Sequence, residues 1–185
     1  MATSTKEEIF AEIDIPVKVN ARMEGNTFIV DGKLGTLRKD ITKLPIAVDV
    51  KDKKLVIRPP GTRKKDLAVT NTAKSIIQSM IKGVESGFTY KLKVVYAHFP
   101  ISVKTKGKEI HVENYFGERA PRVSHIVGDT TKVNVMGEDV IVQGPSLQDV
   151  SQTAANIESS TKLKGKDQRV FLDGLYIYSR EEGMR

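Results

Sequence analysis

Apolar residues alternate with polar ones over most of this chain, and no other feature of the sequence restricts its possible folds as strongly. In the first half, turn residues such as Asp31-Gly32 separate short segments with a period of two: Ile15, Val17 and Val19; Phe28 and Val30; Ile46, Val48 and Val50; Leu55 and Ile57. A period of two puts apolar side chains on one face of a β-strand and polar side chains on the other. The sequence therefore predicts half-buried strands with one face in solvent.

The period changes to that of a helix at two places. The first is a stripe that predicts an amphipathic helix over about residues 66–82, formed by Ala73, Ile76, Ile77, Met80, Ile81 and Val84. The second predicts a helix over about residues 146–161, capped by Ser146 with Asp149 three positions later, and its apolar face is formed by Leu147, Val150, Ala154 and Ile157. A strand is expected after each helix, at Phe88–Tyr96 and at Val170–Tyr178.

The two halves show the same order of elements. Matching residues lie about 81 to 85 positions apart, namely Pro16 with Pro100, Gly35 with Gly117, Val50 with Val135, and Ile76 with Ile157. The sequence predicts an α+β fold of two tandem duplicated domains, each a mostly antiparallel small β-sheet packed against one α-helix. The domains are expected at residues 1–97 and 98–185. The competing explanation is that any two α+β segments can be aligned loosely.

Several classes of protein are disfavoured. The chain has no cysteine, which excludes disulfides, thiolate metal sites and a cysteine nucleophile. Its amino end lacks the apolar core of a signal peptide and no stretch is long enough to span a membrane, so a cytoplasmic protein is expected. His98, His111 and His125 do not have the spacing of metal ligands, and we expect structural roles for them. No nucleophile elbow or phosphate loop is present, and we expect neither a cofactor nor catalysis.

The charge balance favours an anionic partner. Thirty Lys and Arg against 23 Asp and Glu give a net charge of +7 and a pI near 9.5. The excess of cations lies in residues 1–97, whereas residues 98–185 carry as many acidic as basic side chains. Because phosphate contacts are local and charges are screened beyond about 8 to 10 Å, the short cationic segments matter more than the totals.

Three cationic segments are candidates for contacts with nucleic acid. The first, "RPPGTRKK", joins a strand to the first helix and supplies Arg58, Arg63, Lys64 and Lys65. The second, "NYFGERAPR", combines guanidinium and aromatic groups, which suit phosphates and unstacked bases, in Tyr115, Arg119 and Arg122. The third, "KLKGKDQR", follows the second helix and supplies Lys162, Lys164, Gly165, Lys166, Gln168 and Arg169.

Plainer explanations exist for two of these segments. Cations after a helix are favoured by its dipole, but that effect reaches only the last turn and so covers Lys162 and at most Lys164. The aromatic residues of the second segment can equally turn into the core, which we expect for Phe116. Asp167 and Asp173 flank the third segment in surroundings that resemble loops, and we interpret both as solvated charges.

Long stretches of the chain resemble the large-subunit ribosomal protein L6 family. They include "IDIP" at Ile13–Pro16, "MIKGVESGFTYKLKVVYAHFP" at Met80–Pro100, "VENYFGERAPR" at Val112–Arg122 and "GPSLQDVSQTAANIESSTKLKGKDQRVFLDGLYIY" at Gly144–Tyr178. The "GERAPR" and "KGKDQRVFLDG" forms are similar to the archaeal and eukaryotic branch. The resemblance implies two duplicated domains and no enzymatic activity.

The resemblance also implies partners. It implies binding to large-subunit rRNA, mainly by the carboxy-terminal domain, near the sarcin-ricin loop and the base of the stalk where translational GTPases dock. Lys162 to Arg169 match the RNA-facing loop of the family, Arg119 and Arg122 match its other basic loop, and Arg58 to Lys65 match more weakly. Neighbouring ribosomal proteins would be further partners.

Two hypotheses compete with an rRNA-binding structural protein. One is a protein-interaction module outside the ribosome whose basic loops only keep it soluble. The other is a hydrolase with an unrecognised site, which would need a buried carboxylate cluster or a deep pocket.

Overall fold

A computed structural model of the protein describes residues 11–51, 54–165, 167 and 169–184. The predicted site residues Lys166 and Gln168 lie outside the described residues. The chain divides into two compact units, residues 1–85 and 86–185.

In its described residues, 11–51 and 54–85, the first unit contains two antiparallel three-stranded sheets and one helix. The sheet order is β1-β6-β5 in one sheet and β2-β3-β4 in the other. The elements are β1 (Ala11–Asp14), β2 (Asn20–Glu24), β3 (Thr27–Gly32), β4 (Gly35–Asp40), β5 (Ala47–Lys51), β6 (Lys54–Arg58) and α1 (Lys64–Glu85). Buried residues of the helix stripe, such as Ala73, Ile77 and Val84, pack against Phe28, Val30 and Leu55 from the strands.

The second unit repeats this plan and, within the part of the chain that the structure describes, has one more strand than the first. Its sheets have the orders β10-β9-β8 and β11-β12-β7-β13, and all pairings are antiparallel. The elements are β7 (Phe88–Val95), β8 (Ser102–Lys106), β9 (Glu109–Glu113), a 3₁₀ turn (Tyr115–Gly117), β10 (Arg122–His125), β11 (Lys132–Met136), β12 (Asp139–Gly144), α2 (Leu147–Ser160) and β13 (Gly174–Glu182). Its core joins Leu92, Val140, Ala154 and Ile157.

Matching strand registers confirm the predicted tandem α+β fold. Val50 pairs with Leu55 on β5 and β6, and Val135 pairs with Val140 at the same place on β11 and β12. The sheet β1-β6-β5 thus corresponds to β7-β12-β11, and β2-β3-β4 corresponds to β8-β9-β10. The structure refines the prediction in one respect, because the strands of each unit are divided between two sheets.

The boundary between the units lies earlier than the expected position after residue 97. β7 was assigned from the sequence to the end of the first domain, but it pairs with β12 and β13 of the second unit. Alternation shows that a segment is a strand, but it carries no information about which strand supplies its hydrogen bonds. β7 is therefore the counterpart of β1, and the division falls between Glu85 and Ser86.

The other element boundaries differ by smaller amounts. α1 is longer than predicted at both ends, so Lys64 and Lys65 belong to its first turn. α2 has the predicted cap, in which Ser146 Oγ accepts a hydrogen bond from the Asp149 amide. The last strand begins at Gly174, because residues Val170 to Asp173 form a turn and an irregular stretch in which the amides of Val170 and Phe171 bond the Asp167 carbonyl.

β13 is an edge strand, and α2 covers part of its free edge. The Leu175 amide donates to Thr161 Oγ1 at 3.0 Å, and the Ile177 amide donates to Glu158 Oε1 at 3.2 Å. Two amides that would otherwise be open at the edge of the sheet are thus bonded to side chains at the end of the helix.

Candidate nucleic-acid interface

A cationic segment leaves the end of α2 and returns to β13, and a single hydroxyl holds both of its ends. We call residues 161–173 the α2–β13 segment. Tyr115 Oη donates to the Thr161 carbonyl at 2.6 Å and lies 3.4 Å from the Asp173 carbonyl. Closing the ends of a loop restricts the conformations open to the residues between them. Lys162 and Lys164 therefore extend from a fixed base.

Tyr115 itself was predicted from the sequence to suit contacts with bases, and this prediction is wrong. The side chain is only 1% exposed and belongs to the core of the second unit. Burial raises the pKa of its hydroxyl, against a smaller opposing effect of the Arg122 charge. Tyr115 thus remains a neutral hydrogen-bond donor that holds the α2–β13 segment from the core of the second unit.

Asp173 is the anchor at the far end of the segment, a role that its sequence surroundings do not predict. It is 1% exposed, and its carboxylate accepts hydrogen bonds from the amides of Ala97 and His98 at 3.2 Å and contacts His98 Nδ1 at 3.1 Å. Burial favours the protonated form, but these bonds together outweigh burial and lower the pKa of Asp173. Asp173 is therefore a buried anion, not the solvated charge predicted, and the predicted structural role of His98 fits this contact.

Aromatic rings surround this anchor. The His98 and Phe171 ring centroids are 5.5 Å apart, Phe116 lies 6.1 Å from His98, and the rings of Tyr115 and Phe116 meet edge to face at 4.8 Å. Phe116 is partly buried against the core, as expected. Asn114 and Phe116 have positive φ angles of 59° and 50°, which are unusual for residues other than glycine and are retained here by the packing around them.

Arg122 was predicted to contact phosphate, but its guanidinium is occupied within the protein. Two of its nitrogens bond the Glu118 carboxylate at 2.9 and 2.6 Å, a third donates to the Ser160 carbonyl at 3.0 Å, and the group lies 4.1 Å above the Tyr115 ring. The Glu118 hydrogen bonds raise the pKa of Arg122 and lower that of Glu118. Arg122 therefore binds the last carbonyl of α2, that of Ser160, and positions the segment, whereas Arg119 is exposed.

The cations of the segment differ in how free they are. Lys162 and Lys164 are exposed, and no carboxylate in the described part of the chain pairs with either. The Arg169 guanidinium makes two hydrogen bonds to Asp167, at 3.1 and 2.9 Å, and the Arg169 amide makes a third at 3.0 Å, but the side chain is 89% exposed. Between them Gly165 has a φ of 74°, a left-handed conformation that favours glycine.

The cationic residues before α1 form a separate group on the first unit. Arg58 ends β6 and lies 3.5 Å from Asp49, while the Arg63 amide donates to Asp66 at 3.3 Å. Lys64 and Lys65 are exposed in the first helical turn, where the helix dipole disfavours positive charge. The sequence predicted a loop here, and the structure confines that loop to residues 59–63.

Two other kinds of site are absent from the described residues. No group of three or more histidine and carboxylate side chains there is arranged to hold a metal ion. No helix in the described chain has the length and apolar composition that crossing a membrane requires.

Comparison with known proteins identifies the family. The sequence profile of Ribosomal protein L6 matches the chain twice, over residues 15–87 and 99–174, in agreement with the two units. Three proteins named "Large ribosomal subunit protein uL6" are similar over nearly their whole length. That of Methanosphaera stadtmanae is 41% identical and covers 92% of each chain. That of Staphylothermus marinus is 40% identical over 92% of this chain and 94% of its own.

The third relative, from Ignicoccus hospitalis, is 39% identical over 94% of this chain and 95% of its own. These archaeal relatives confirm the resemblance to the archaeal branch, and the family consists of structural proteins, which confirms the prediction that the chain is not an enzyme. Two profile matches that cover most of the sequence, with long relatives near 40% identity, lead to one conclusion: the chain belongs to the ribosomal protein L6 family.

Proposed function

We propose that this protein is a structural constituent of the large ribosomal subunit in the cytoplasm, and that it binds large-subunit rRNA chiefly through the α2–β13 segment. The observation that carries the proposal is the pair Lys162 and Lys164, which are exposed and unpaired in the described chain on a segment whose two ends are anchored in the core. In this proposal the exposed side chains of Arg119 and Arg169 supply further cations for the RNA.

Fixed cations suit recognition of folded RNA. A-form helices are recognised largely by shape and by contacts to phosphates and 2′-hydroxyls, so the spacing of the cations matters more than base-specific bonds. Each phosphate neutralised releases counterions, which makes binding depend steeply on salt. The Arg169–Asp167 pair is no obstacle, because solvent screens an ion pair this exposed and a phosphate can readily replace the carboxylate.

The first unit supplies a second, weaker contact in this proposal. Lys64 and Lys65 stand at the amino end of α1, where each positive charge costs about 0.3–1 kcal/mol of helix stability. A phosphate there would be favoured by these charges, by Arg63 and by the helix dipole together. We place Arg58 at the margin of this contact, since Asp49 partly neutralises it.

The proposed location on the subunit is the one that the family resemblance implies. The proposed partners are the rRNA around the sarcin-ricin loop, neighbouring ribosomal proteins including those of the stalk base, and, by proximity, the translational GTPases that dock there. The names of the relatives support the assignment to the large subunit, and the fixed cationic surface of the second unit supports the rRNA contact.

The test is a filter-binding titration of an RNA fragment containing the sarcin-ricin domain at several salt concentrations. Lys162→Ala combined with Lys164→Ala is expected to weaken binding and to reduce the slope of log affinity against log salt by roughly 0.7–0.9 for each phosphate that is no longer neutralised. Lys106→Ala combined with Lys132→Ala is the matched control, because it removes the same charge from exposed lysines elsewhere on the second unit.

Equal slopes for the two double variants would overturn the proposed site. If the protein also failed to sediment with large subunits, and ribonuclease treatment made no difference, a protein-interaction module would be the better assignment.

A further inference from the structure

A cleft of about 290 Å³ opens between the last turn of α2 and the first residues of β13. Glu158, Thr161 and Lys162 line it from the helix side, Leu163 follows, and Tyr176 lines it from the strand. Its volume is at the lower limit for sites that hold small ligands. Lys162 is the only lysine among the described residues that line this cleft, so phosphate binding does not account for the other side chains there.

Tyr176 presents a fixed aromatic ring to the cleft. The side chain is 42% exposed, and its ring edge lies against Gly174: a Cβ at position 174 would meet Tyr176 Oη at 3.3 Å and Cε2 at 3.4 Å. Burial, followed by the charges of Asp173 and Glu158, raises the pKa of Tyr176, so the phenol is neutral at physiological pH. A held, uncharged ring with an open surface is suited to stacking.

Glu158 gives the cleft a hydrogen-bond acceptor of fixed orientation. Its Oε1 atom accepts the Ile177 amide at 3.2 Å, and no donor in the described chain bonds its Oε2 atom. An ionised carboxylate can only accept hydrogen bonds. A wall built to bind phosphate would not carry a carboxylate, whereas the N–H groups of a nucleobase are suitable partners for it.

Lys162 also lines the cleft, and it is exposed without a carboxylate partner among the described residues. A nucleotide whose base enters the cleft would keep its phosphate outside, where Lys162 can neutralise it. The cleft thus brings together an aromatic ring, a hydrogen-bond acceptor and a cation, which are partners for the face of a base, the edge of a base and a phosphate.

We propose that this cleft binds one unstacked nucleobase that carries an amino group, with guanine preferred. This inference rests on the proposed RNA-binding function of the α2–β13 segment. Guanine offers adjacent N1–H and N2–H donors to the Glu158 carboxylate, while its ring stacks on Tyr176. Uracil fits less well, because its N3–H lies between two carbonyl oxygens that the carboxylate repels.

The test is an NMR titration of the isotopically labelled full chain with guanosine 5′-monophosphate, uridine 5′-monophosphate and ribose 5-phosphate. The guanine nucleotide is expected to shift the Tyr176 ring protons in a saturable manner, with a Kd of about 1–10 mM. The uracil nucleotide should bind at least about fivefold more weakly. Ribose 5-phosphate should perturb Lys162 and leave the Tyr176 ring unchanged.

Three substitutions separate the parts of the site. Tyr176→Leu should lower affinity for the guanine nucleotide at least about fivefold, whereas Tyr176→Phe should retain it. Glu158→Gln keeps an acceptor for the Ile177 amide and should abolish the preference for guanine over uracil. Tyr178→Leu is the matched control, since Tyr178 is a neighbouring tyrosine of β13, 57% exposed and not among the cleft residues.

The inference is overturned if no nucleotide shifts the Tyr176 ring at about 10 mM, or if Tyr176→Leu and Tyr178→Leu behave alike while both remain folded. Failure here is distinct from failure of the proposed function, which is judged from the salt slope of the Lys162 and Lys164 variant. If the Lys162 and Lys164 variant reduces the salt slope but no nucleotide binds, only the proposal of a base-binding cleft is wrong. If the salt slope is unchanged, the proposal that the α2–β13 segment binds RNA is wrong.

Discussion

The two units join the β-hairpin to the end of the helix at the same place, but by different chemistry. In the first unit the turn between β3 and β4 meets α1 backbone to backbone, with the Leu34 amide donating to the Val84 carbonyl at 3.0 Å. In the second unit the longer connection between β9 and β10 contacts the end of α2 through a side chain, because the Tyr115 hydroxyl donates to the Thr161 carbonyl.

This difference shows how a duplicated unit can acquire a surface without changing its sheets. The direct junction of the first unit leaves no room between hairpin and helix, since a Cβ at Gly32 would lie 2.7 Å from a Val84 methyl group. In the second unit the Tyr115 hydroxyl makes this junction and reaches both ends of the α2–β13 segment. The α2–β13 segment supplies the cations, and the buried side chains of Tyr115 and Asp173 hold that segment in place.

The largest effect is expected from removing the anchor of the second unit. Asp173→Ala removes the acceptor of the Ala97 and His98 amides and the partner of the His98 ring, and each hydrogen bond to a charged group contributes about 1.5–3 kcal/mol. All five tyrosines lie in the second unit, so intrinsic tyrosine fluorescence monitors its unfolding alone. An unchanged urea midpoint by this probe would show that Asp173 is not an anchor.

The corresponding break in the first unit is Gly32→Ala. The added methyl group would overlap the Val84 side chain and carbonyl, and overpacking of this kind costs about 1–3 kcal/mol. Hydrogen exchange of α1 amides should accelerate, while the tyrosine fluorescence transition of the second unit should stay in place. Gly25→Ala is the control for replacement of a glycine, because a Cβ there meets nothing within 4 Å, although its φ of 60° adds some strain.

A smaller effect is expected from Tyr115→Phe, which deletes only the hydroxyl. Loss of its hydrogen bond to the Thr161 carbonyl should destabilise the second unit by about 1 kcal/mol. The larger consequence is greater mobility of the α2–β13 segment. We expect faster amide hydrogen exchange in this segment, and weaker RNA binding with an unchanged salt slope. Weaker binding with a reduced slope would mean instead that fewer phosphates are neutralised.

The smallest effect expected is the acid sensitivity of the second unit. Because hydrogen bonds hold the pKa of Asp173 below its ordinary value of 3.8, the ionised group stabilises the folded state above that pH. This contribution disappears as the pH falls below 3.8 through the folded-state pKa. Asp173→Asn should lower the stability at pH 6 and flatten its decline toward pH 3. Equal acid profiles for the two proteins would contradict the prediction.

Much of the fold can be predicted from the sequence because local physics decides it. The stripe from Ala73 to Val84 requires a helix with one buried face, and Ser146 followed by Asp149 fixes the start of α2 through a bond between neighbours. The pairing of β7 could not be predicted in this way. Its alternation suits either unit, and its partners β12 and β13 come much later in the chain.

The candidate site was predictable in its charges but not in its supports. Lys162 and Lys164 are cations in a short segment, and exposure follows almost automatically from their chemistry. Arg122 and Asp173 are equally polar in the sequence, yet one binds Glu118 and the other is buried beside His98. Which polar residues turn inward depends on partners distant in the chain, and no local pattern records those partners.

The covered edge of β13 has a consequence for the protein before it is incorporated into a ribosome. A newly synthesised copy has a folded sheet with an edge strand before it is assembled. An exposed edge strand can pair with a strand of another polypeptide and start aggregation. Thr161 and Glu158 already occupy the amides of Leu175 and Ile177, so a foreign strand finds two of its docking points taken. The end of α2 thereby protects the edge of β13 from strand pairing between synthesis and assembly.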